Sequence, residues 1–135
     1  MSRAVNASLI VIGGMAGTAV RASLEAWFPA TAGQWPWATF WINISGSLLL
    51  GGLLETLAAF DDAGWPRSVR LGVGTGFFGG YTTYSSFSVE TVALLRSGDW
   101  FGGIGYAVLS VGIGIAAALL AMVVVRRLRH AGEAT

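Results

Sequence analysis

Apolar residues fill the chain in four long runs, which short polar or proline-containing stretches separate. A helix needs about 20 mostly apolar residues to cross the hydrocarbon core of a bilayer. Each run is long enough, so the pattern predicts transmembrane helices at about 4–28, 37–60, 67–95 and 100–125. We therefore expect an all-α membrane protein, in which residues 1–135 form a single four-helix transmembrane domain.

Breaks and tryptophans mark the ends of the predicted helices. Pro29 ends the first run, Pro36 precedes the second, and the fourth closes on a group of arginines, as expected where a helix meets the membrane surface. Indole rings favour the membrane–water interface, although tryptophans filling a protein core are an alternative. All the tryptophans lie at or near a predicted end: Trp27, Trp35, Trp37, Trp41, Trp65 and Trp100.

The third run has a polar centre that a helix facing only lipid would not favour. Interrupted helices at membrane depth occur where the freed backbone groups are buried in protein or line a polar cavity, and they often form ion sites. We expect a break near 79–83. Glycines four residues apart also permit close packing of an unbroken helix. The residues concerned are Gly72, Gly76, Gly79, Gly80, Thr82, Thr83, Ser85 and Ser86.

Composition supports a membrane environment and excludes several functions. Only 11% of the 135 residues are charged, and 54% are hydrophobic, whereas soluble domains carry roughly a quarter charged residues. A net charge of +1 gives no basis for nucleic-acid binding, and without cysteine there are no disulfides or thiolate sites. The start of the chain lacks a convincing signal-peptide cleavage site, so we expect the first helix to stay in the mature protein.

Three polar residues in the predicted helices are candidates for function or packing. Asn43 lies in the apolar middle of the second helix, where it either serves an ion site or joins two helices. Arg21, late in the first helix, is expected to anchor structure by bonding backbone carbonyls or reaching the interface. Glu90 is expected to pair with an arginine or line a vestibule, and not to act as a catalytic acid.

The residue inventory argues against an enzyme. The one histidine, His130, lies in the basic tail, so no set of serine, histidine and carboxylate can be assembled within the membrane. The glycine-rich stretch GVGTGFFGG lacks the lysine of a phosphate-binding loop and lies inside an apolar run. Helix packing and breakage explain this stretch better.

Three segments in order resemble the bacterial Fluc (CrcB-type) fluoride channel family, and the resemblance covers almost the whole chain. They are GMAGTAVR, WPWATFWINISGSLLLG and GFFGGYTTYSSFSVET. The resemblance implies a dual-topology dimer of two antiparallel subunits in the bacterial cytoplasmic membrane, with two fluoride pores. It also implies a central structural sodium ion held by the backbone carbonyls of Gly79 and Thr82, which suit a hard cation.

By the same resemblance, Asn43 donates its side-chain N–H groups to fluoride, and the rings of Tyr84 and Phe87 face the pore. Aromatic rings have a positive edge, so rings presented edge-on can partly replace the hydration shell of a small anion. Tyr84 departs from the family, in which phenylalanine is typical at this position. The hydroxyl groups expected to add donors along the path belong to Thr83, Ser85, Ser86 and Ser110.

The distribution of arginine conflicts mildly with a dual topology. Six arginines fall on the side of the two termini, and only Arg21 and Arg96 on the other. The positive-inside rule then favours one orientation with both termini cytoplasmic. We still prefer a homodimer over a dimer with a different, oppositely oriented partner chain. Arg21 and Arg96 lie near helix ends, where basic residues have a strong effect on orientation.

The sequence therefore predicts a passive, fluoride-selective channel that needs no nucleotide. The alternative is a small proton-coupled multidrug-type exporter, which has a similar size. Such exporters need a carboxylate deep in the first helix, where ASLIVIGGMAGTAV has none. A structural membrane subunit without transport activity is a third hypothesis.

Overall fold

The computed structural model describes residues 2–29, 31 and 33–133, and all their regular structure is helical. Two long helices come first, α1 (Arg3–Trp27) and α2 (Trp37–Leu57). The third helical run is divided into α3 (Gly64–Val69), a π-helix (Arg70–Phe78), α4 (Gly79–Tyr81) and α5 (Tyr84–Arg96). The last helix is α6 (Trp100–Glu133).

Helices α1, α2 and α6 are each long and apolar enough to cross a membrane. The third run is not one continuous helix of that kind, because it is interrupted at its centre. Their surfaces suit lipid, since large apolar side chains such as Met15 and Val108 are more than half exposed. Most of the tryptophans are exposed too, so they do not fill the core. The chain is a multi-pass membrane protein.

The break in the third run is confined to two residues. Thr82 (φ −74°, ψ 157°) and Thr83 (φ −143°, ψ 122°) are extended, whereas Gly79–Tyr81 is helical. The sequence predicts a break near 79–83, and the structure narrows it to the threonine pair. The π-helix that precedes it was not predicted; its wider turns often mark functional sites.

Close packing against α1 accompanies the break, so the two interpretations of the glycines are both realised. A Cβ on Gly76 would lie 2.7 Å from the Ile10 carbonyl oxygen, and one on Gly80 would overlap the Gly14 carbonyl oxygen. On the other side, a Cβ on Gly17 would overlap the Phe77 carbonyl oxygen. The absence of side chains lets the two backbones touch and fixes the position of the break.

The ends of two helices differ from the prediction. Helix α2 ends at Leu57 instead of near residue 60. Beyond this end, Arg70 donates to the carbonyl oxygens of Leu57 and Phe60. Helix α6 does not end near 125 but continues to Glu133. Glu55, only 4% exposed, pairs with the continuation: its carboxylate accepts from Arg126 Nε at 3.1 Å and from Arg129 at 3.4 Å.

The core lies between α2, α5 and α6. Its buried apolar cluster consists of Phe40, Ile44, Leu94 and Tyr106, against which Trp35 and Phe87 pack. Because Phe87 belongs to both this cluster and the first turns of α5, the core fixes the direction in which α5 leaves the break.

Candidate functional site

Asn43 and Thr83 form the centre of the candidate site. The Thr83 backbone N–H donates to Asn43 Oδ1 at 2.8 Å, and Asn43 Nδ2 donates to the Thr83 carbonyl oxygen at 3.0 Å. The Asn43 amide therefore provides hydrogen-bond partners for the backbone N–H and carbonyl of Thr83, which lie in the break. An amide nitrogen carries two N–H groups, so Asn43 keeps one donor after bonding Thr83. The structural and the functional interpretation of Asn43 are compatible.

A groove of about 300 Å³ opens beside this pair. Asn43, Thr83 and Ser110 bring polar atoms to it, and Tyr84 and Phe87 form its aromatic wall. Ser110 is 6% exposed, and its Oγ makes no hydrogen bond with any residue that the structure describes. A buried hydroxyl without a partner is costly, which makes Ser110 a candidate donor to a group that enters the groove.

The aromatic wall continues from the groove into the core. The Tyr84 and Phe87 ring centroids are 6.0 Å apart with an interplanar angle of 40°, and Phe87 and Tyr106 are 5.4 Å apart. Tyr84 is 81% exposed, and its hydroxyl makes no hydrogen bond within the described part of the chain. The phenol therefore adds a polar group without a hydrogen-bond partner among the described residues at the outer edge of the groove.

Ser85 and Ser86 lie outside the groove lining and bond within the break. Thr83 Oγ1 accepts from the Ser86 backbone N–H at 3.1 Å, which caps α5, and lies 3.2 Å from the Ser85 hydroxyl. It donates in turn to Ser86 Oγ, which donates to Glu25 Oε1 at 3.4 Å. Both serines bond Thr83, and their place along the pore stays a prediction; Glu25 was not predicted.

Arg21 bonds the helix before the break. Its Nε donates to the Gly80 carbonyl oxygen at 3.2 Å, and its guanidinium pairs with Glu25 at 3.3 Å. The Thr18 hydroxyl also reaches the Gly80 carbonyl, at 3.5 Å. Arg21 thus bonds a backbone carbonyl of a neighbouring segment. This is one of the two anchoring roles that the sequence predicts for it.

Gly79 is the first residue of α4 and Thr82 follows its last residue, where a cation site is expected. Gly79 is exposed, and no atom lies within 4 Å of the place where its Cβ would be. Thr82 is extended, so its carbonyl no longer points along the helix axis. Open approach and backbone oxygen atoms fit a hard monovalent ion. Among the described residues, no three histidine or acidic side chains converge on a metal site.

A buried hydroxyl–carboxylate triad, formed by Thr39, Glu90 and Tyr106, lies beyond Phe87. Glu90 Oε1 accepts from the Thr39 hydroxyl at 2.7 Å, and Oε2 accepts from the Tyr106 hydroxyl at 2.8 Å. Thr39 and Tyr106 are 1% and 0% exposed. Glu90 does not pair with an arginine, but it lines a second groove of about 210 Å³ below the loop before α2.

The triad could have been partly anticipated from helical spacing. Thr39 lies one turn before Asn43, and Glu90 lies three residues after Phe87, so each shares a helix face with a predicted pore residue. Tyr106 gave no such signal, because its contact with Glu90 depends on the packing of α5 on α6.

Comparison with known proteins agrees with this arrangement. The chain is 43% identical over 128 residues to "Fluoride-specific ion channel FluC 1" of Cutibacterium acnes, covering 94% of this chain and 87% of that protein. It is 47% identical over 112 residues to "Fluoride-specific ion channel FluC 2" of Leifsonia xyli (82% and 77%) and 40% identical over 106 residues to a FluC of Bordetella petrii (78% and 80%). Residues 8–122 match the family described as "CrcB-like protein, Camphor Resistance (CrcB)". The chain therefore belongs to the CrcB-like family.

Proposed function

We propose that this chain is a subunit of a passive, fluoride-selective channel in the bacterial cytoplasmic membrane. The relatives named above are fluoride-specific channels, and the groove of this chain offers what such an anion needs. A pore needs no reaction chemistry, so the protein is not an enzyme and requires no nucleotide.

The observation that carries the proposal is the presence of two uncommitted donors on one groove. Asn43 retains one N–H after bonding Thr83, and the buried Ser110 hydroxyl has no partner among the described residues. Fluoride is a small anion and a strong hydrogen-bond acceptor, so such donors can replace part of its hydration shell. The rings of Tyr84 and Phe87 contribute weaker, edge-on contacts that let the ion leave again.

The exposure of the groove supports a dimer. Tyr84 is 81% exposed in the single chain, and the groove is open on one side. A fluoride path open to lipid would leave a desolvated anion without ligands, which is costly. We infer that a second copy, inserted antiparallel, covers the groove and completes two symmetric pores.

The larger number of arginines on the side of the two termini favours a single orientation, whereas the proposed dimer needs both. On the terminal side, Arg67 and Arg70 pair with Asp62, and two more arginines pair with Glu55. Orientation follows the number of basic residues and not the net charge, so these ion pairs do not remove the bias. Labelling of a cysteine tag at each terminus in intact cells measures the orientation of the chain in the membrane. Two orientations are expected, and a single orientation would rule out the antiparallel homodimer.

A structural sodium ion on the dimer axis belongs to the same proposal. The backbone carbonyls of Gly79 and Thr82 from both subunits would hold it, and Arg21, which bonds the adjacent Gly80 carbonyl, would keep that segment in place. The ion would fix the two breaks relative to each other. Replacement of sodium by a large organic cation during purification is expected to weaken the dimer, as measured by chromatography.

Efflux from liposomes tests the function directly. Purified protein is reconstituted, and fluoride and chloride release are measured in parallel with ion-selective electrodes. Rapid fluoride release without chloride release is expected. Release of neither ion from folded protein would contradict the proposal and favour the exporter or the structural subunit, and equal release of both would exclude selectivity.

A further inference from the structure

An apolar groove lies between α2 and α6, at the end of the molecule where α6 terminates. Its volume is about 420 Å³, and Leu49 and Leu53 of α2 face Leu120 and Val124 of α6 across it. The hydroxyl of Thr56, which also lines the groove, donates to the Gly52 carbonyl oxygen at 2.8 Å, so it is already used within the helix. The walls are otherwise hydrocarbon and suit an acyl chain.

Basic side chains lie beyond one end of this groove, where α6 carries Arg126, Arg127 and Arg129. Glu55 holds the first and the third of them through hydrogen bonds of 3.1–3.4 Å. Arg127 is exposed and makes no hydrogen bond or ion pair with the residues that the structure describes. Glu55 pairs with Arg126 and Arg129, so the positive charge of Arg127 is in excess.

Helical register aligns the free arginine with the groove. Residues three, four and seven apart lie on one face of a helix, so Leu120, Val124 and Arg127 form one stripe. Arg129 continues the neighbouring stripe from Val125, which also lines the groove. The cationic groups therefore lie about one helical turn beyond the apolar walls, roughly 5 Å along the axis. This is the order of charge and hydrocarbon in a phospholipid.

We propose that the groove and Arg127 together form a binding site for an anionic phospholipid. One acyl chain lies between α2 and α6, and the phosphate contacts Arg127, with Arg129 as a second donor. A peptide segment would bring unsatisfied backbone groups into the hydrocarbon region, and a zwitterionic lipid would leave the excess positive charge unmatched. The site lies outside the fluoride groove, so it does not depend on the proposed transport function.

Native mass spectrometry of the full-length protein in detergent tests this site. Phosphatidylglycerol is titrated, with phosphatidylcholine of the same acyl chains as the reference. We expect one preferred phosphatidylglycerol per subunit, and about fivefold weaker binding in Arg127→Gln, as loss of one basic contact to an anionic lipid implies. Arg3→Gln is the matched control, because Arg3 is also exposed, unpaired among the described residues and on the side of the termini.

A second variant tests the apolar half of the site. A Cβ on Gly52 would lie 3.7 Å from Ala121 Cβ and 3.9 Å from Val125 Cγ2, so Gly52→Leu keeps the helix contact and fills the groove. Loss of phosphatidylglycerol binding is expected. Equal effects of Arg3→Gln and Arg127→Gln, or equal binding of the two lipids, would overturn the proposal. So would a Gly52→Leu protein that loses its dimer but still binds lipid, since the groove would then belong to a second copy.

Discussion

Asn43 on α2 and Thr83 in the break exchange two hydrogen bonds across 40 residues of sequence, at 2.8 and 3.0 Å. The side-chain amide thereby replaces the helical partners that the extended Thr83 has lost. One side chain both stabilises the break and presents a remaining N–H to the groove. Structure and proposed ion binding therefore depend on the same residue and must be separated by experiment.

Asn43→Ala is expected to abolish fluoride flux and to destabilise the protein. It leaves the Thr83 N–H and carbonyl without partners, and each unsatisfied buried group costs about 1–3 kcal/mol. Asn43→Asp keeps the acceptor for the Thr83 N–H but loses both amide N–H groups, so it removes the donor for the anion and leaves only the Thr83 carbonyl without its partner. Flux from liposomes and the midpoint of thermal unfolding are the measurements. Normal fluoride flux in Asn43→Asp would show that Asn43 does not donate to the anion in the pore.

Ser110→Ala is expected to slow fluoride release without loss of stability. The buried Ser110 hydroxyl has no partner among the described residues, so its removal breaks no internal hydrogen bond. Ser88→Ala is the control, because that hydroxyl bonds the Tyr84 carbonyl at 2.8 Å and lies outside the groove. Ser88→Ala should keep the wild-type rate. If Ser110→Ala transports fluoride as fast as Ser88→Ala, the hydroxyl is no ligand.

Local sequence signals predicted part of this architecture. An asparagine in an apolar run and a threonine pair after two glycines are expensive in a membrane, so each marks a place where a partner must exist. That reasoning located Asn43 and the break. It did not pair them, because nothing in either segment specifies the other across 40 residues.

Contacts between distant segments account for what the sequence did not predict. Glu90 was expected to pair with an arginine or line a vestibule; it lines a groove, and packing of α5 on α6 gives its carboxylate the Tyr106 hydroxyl as a donor. The arginines after residue 125 were expected to end α6, yet Glu55 on α2 pairs with them and the helix continues. In both cases a carboxylate bonds a partner that only the fold brings near.

Tyr106→Phe is expected to lower the stability of the protein, by about 1–3 kcal/mol, because it removes the hydrogen bond that the buried Tyr106 hydroxyl donates to the Glu90 carboxylate. The ring contacts with Trp35 and Phe87 remain. Tyr84→Phe is the matched control, since the Tyr84 hydroxyl has no hydrogen bond within the described residues. Thermal unfolding should shift only in Tyr106→Phe. Equal shifts in the two variants would contradict a structural role for the triad.

Tyr84→Phe also tests the departure from the family pattern. It restores the usual ring while keeping the tilted contact with Phe87, so selective fluoride release is expected to persist with an altered rate. Parallel fluoride and chloride efflux measures this. Loss of selectivity would mean that the phenol hydroxyl, and not the ring edge, distinguishes the anions in this chain.

Gly17→Ala is expected to disturb the break from a distance, because its new methyl group would overlap the Phe77 carbonyl oxygen and push α1 away. Overpacking of this kind costs about 1–3 kcal/mol, and the hydrogen bonds of Thr18 and Arg21 to Gly80 would stretch. Gly14→Ala, on the same helix, meets its nearest atom, the Gly76 carbonyl oxygen, at 3.8 Å and should be tolerated. Flux and thermal stability are compared in the two variants. If both behave as wild type, close packing of α1 does not hold the break in position.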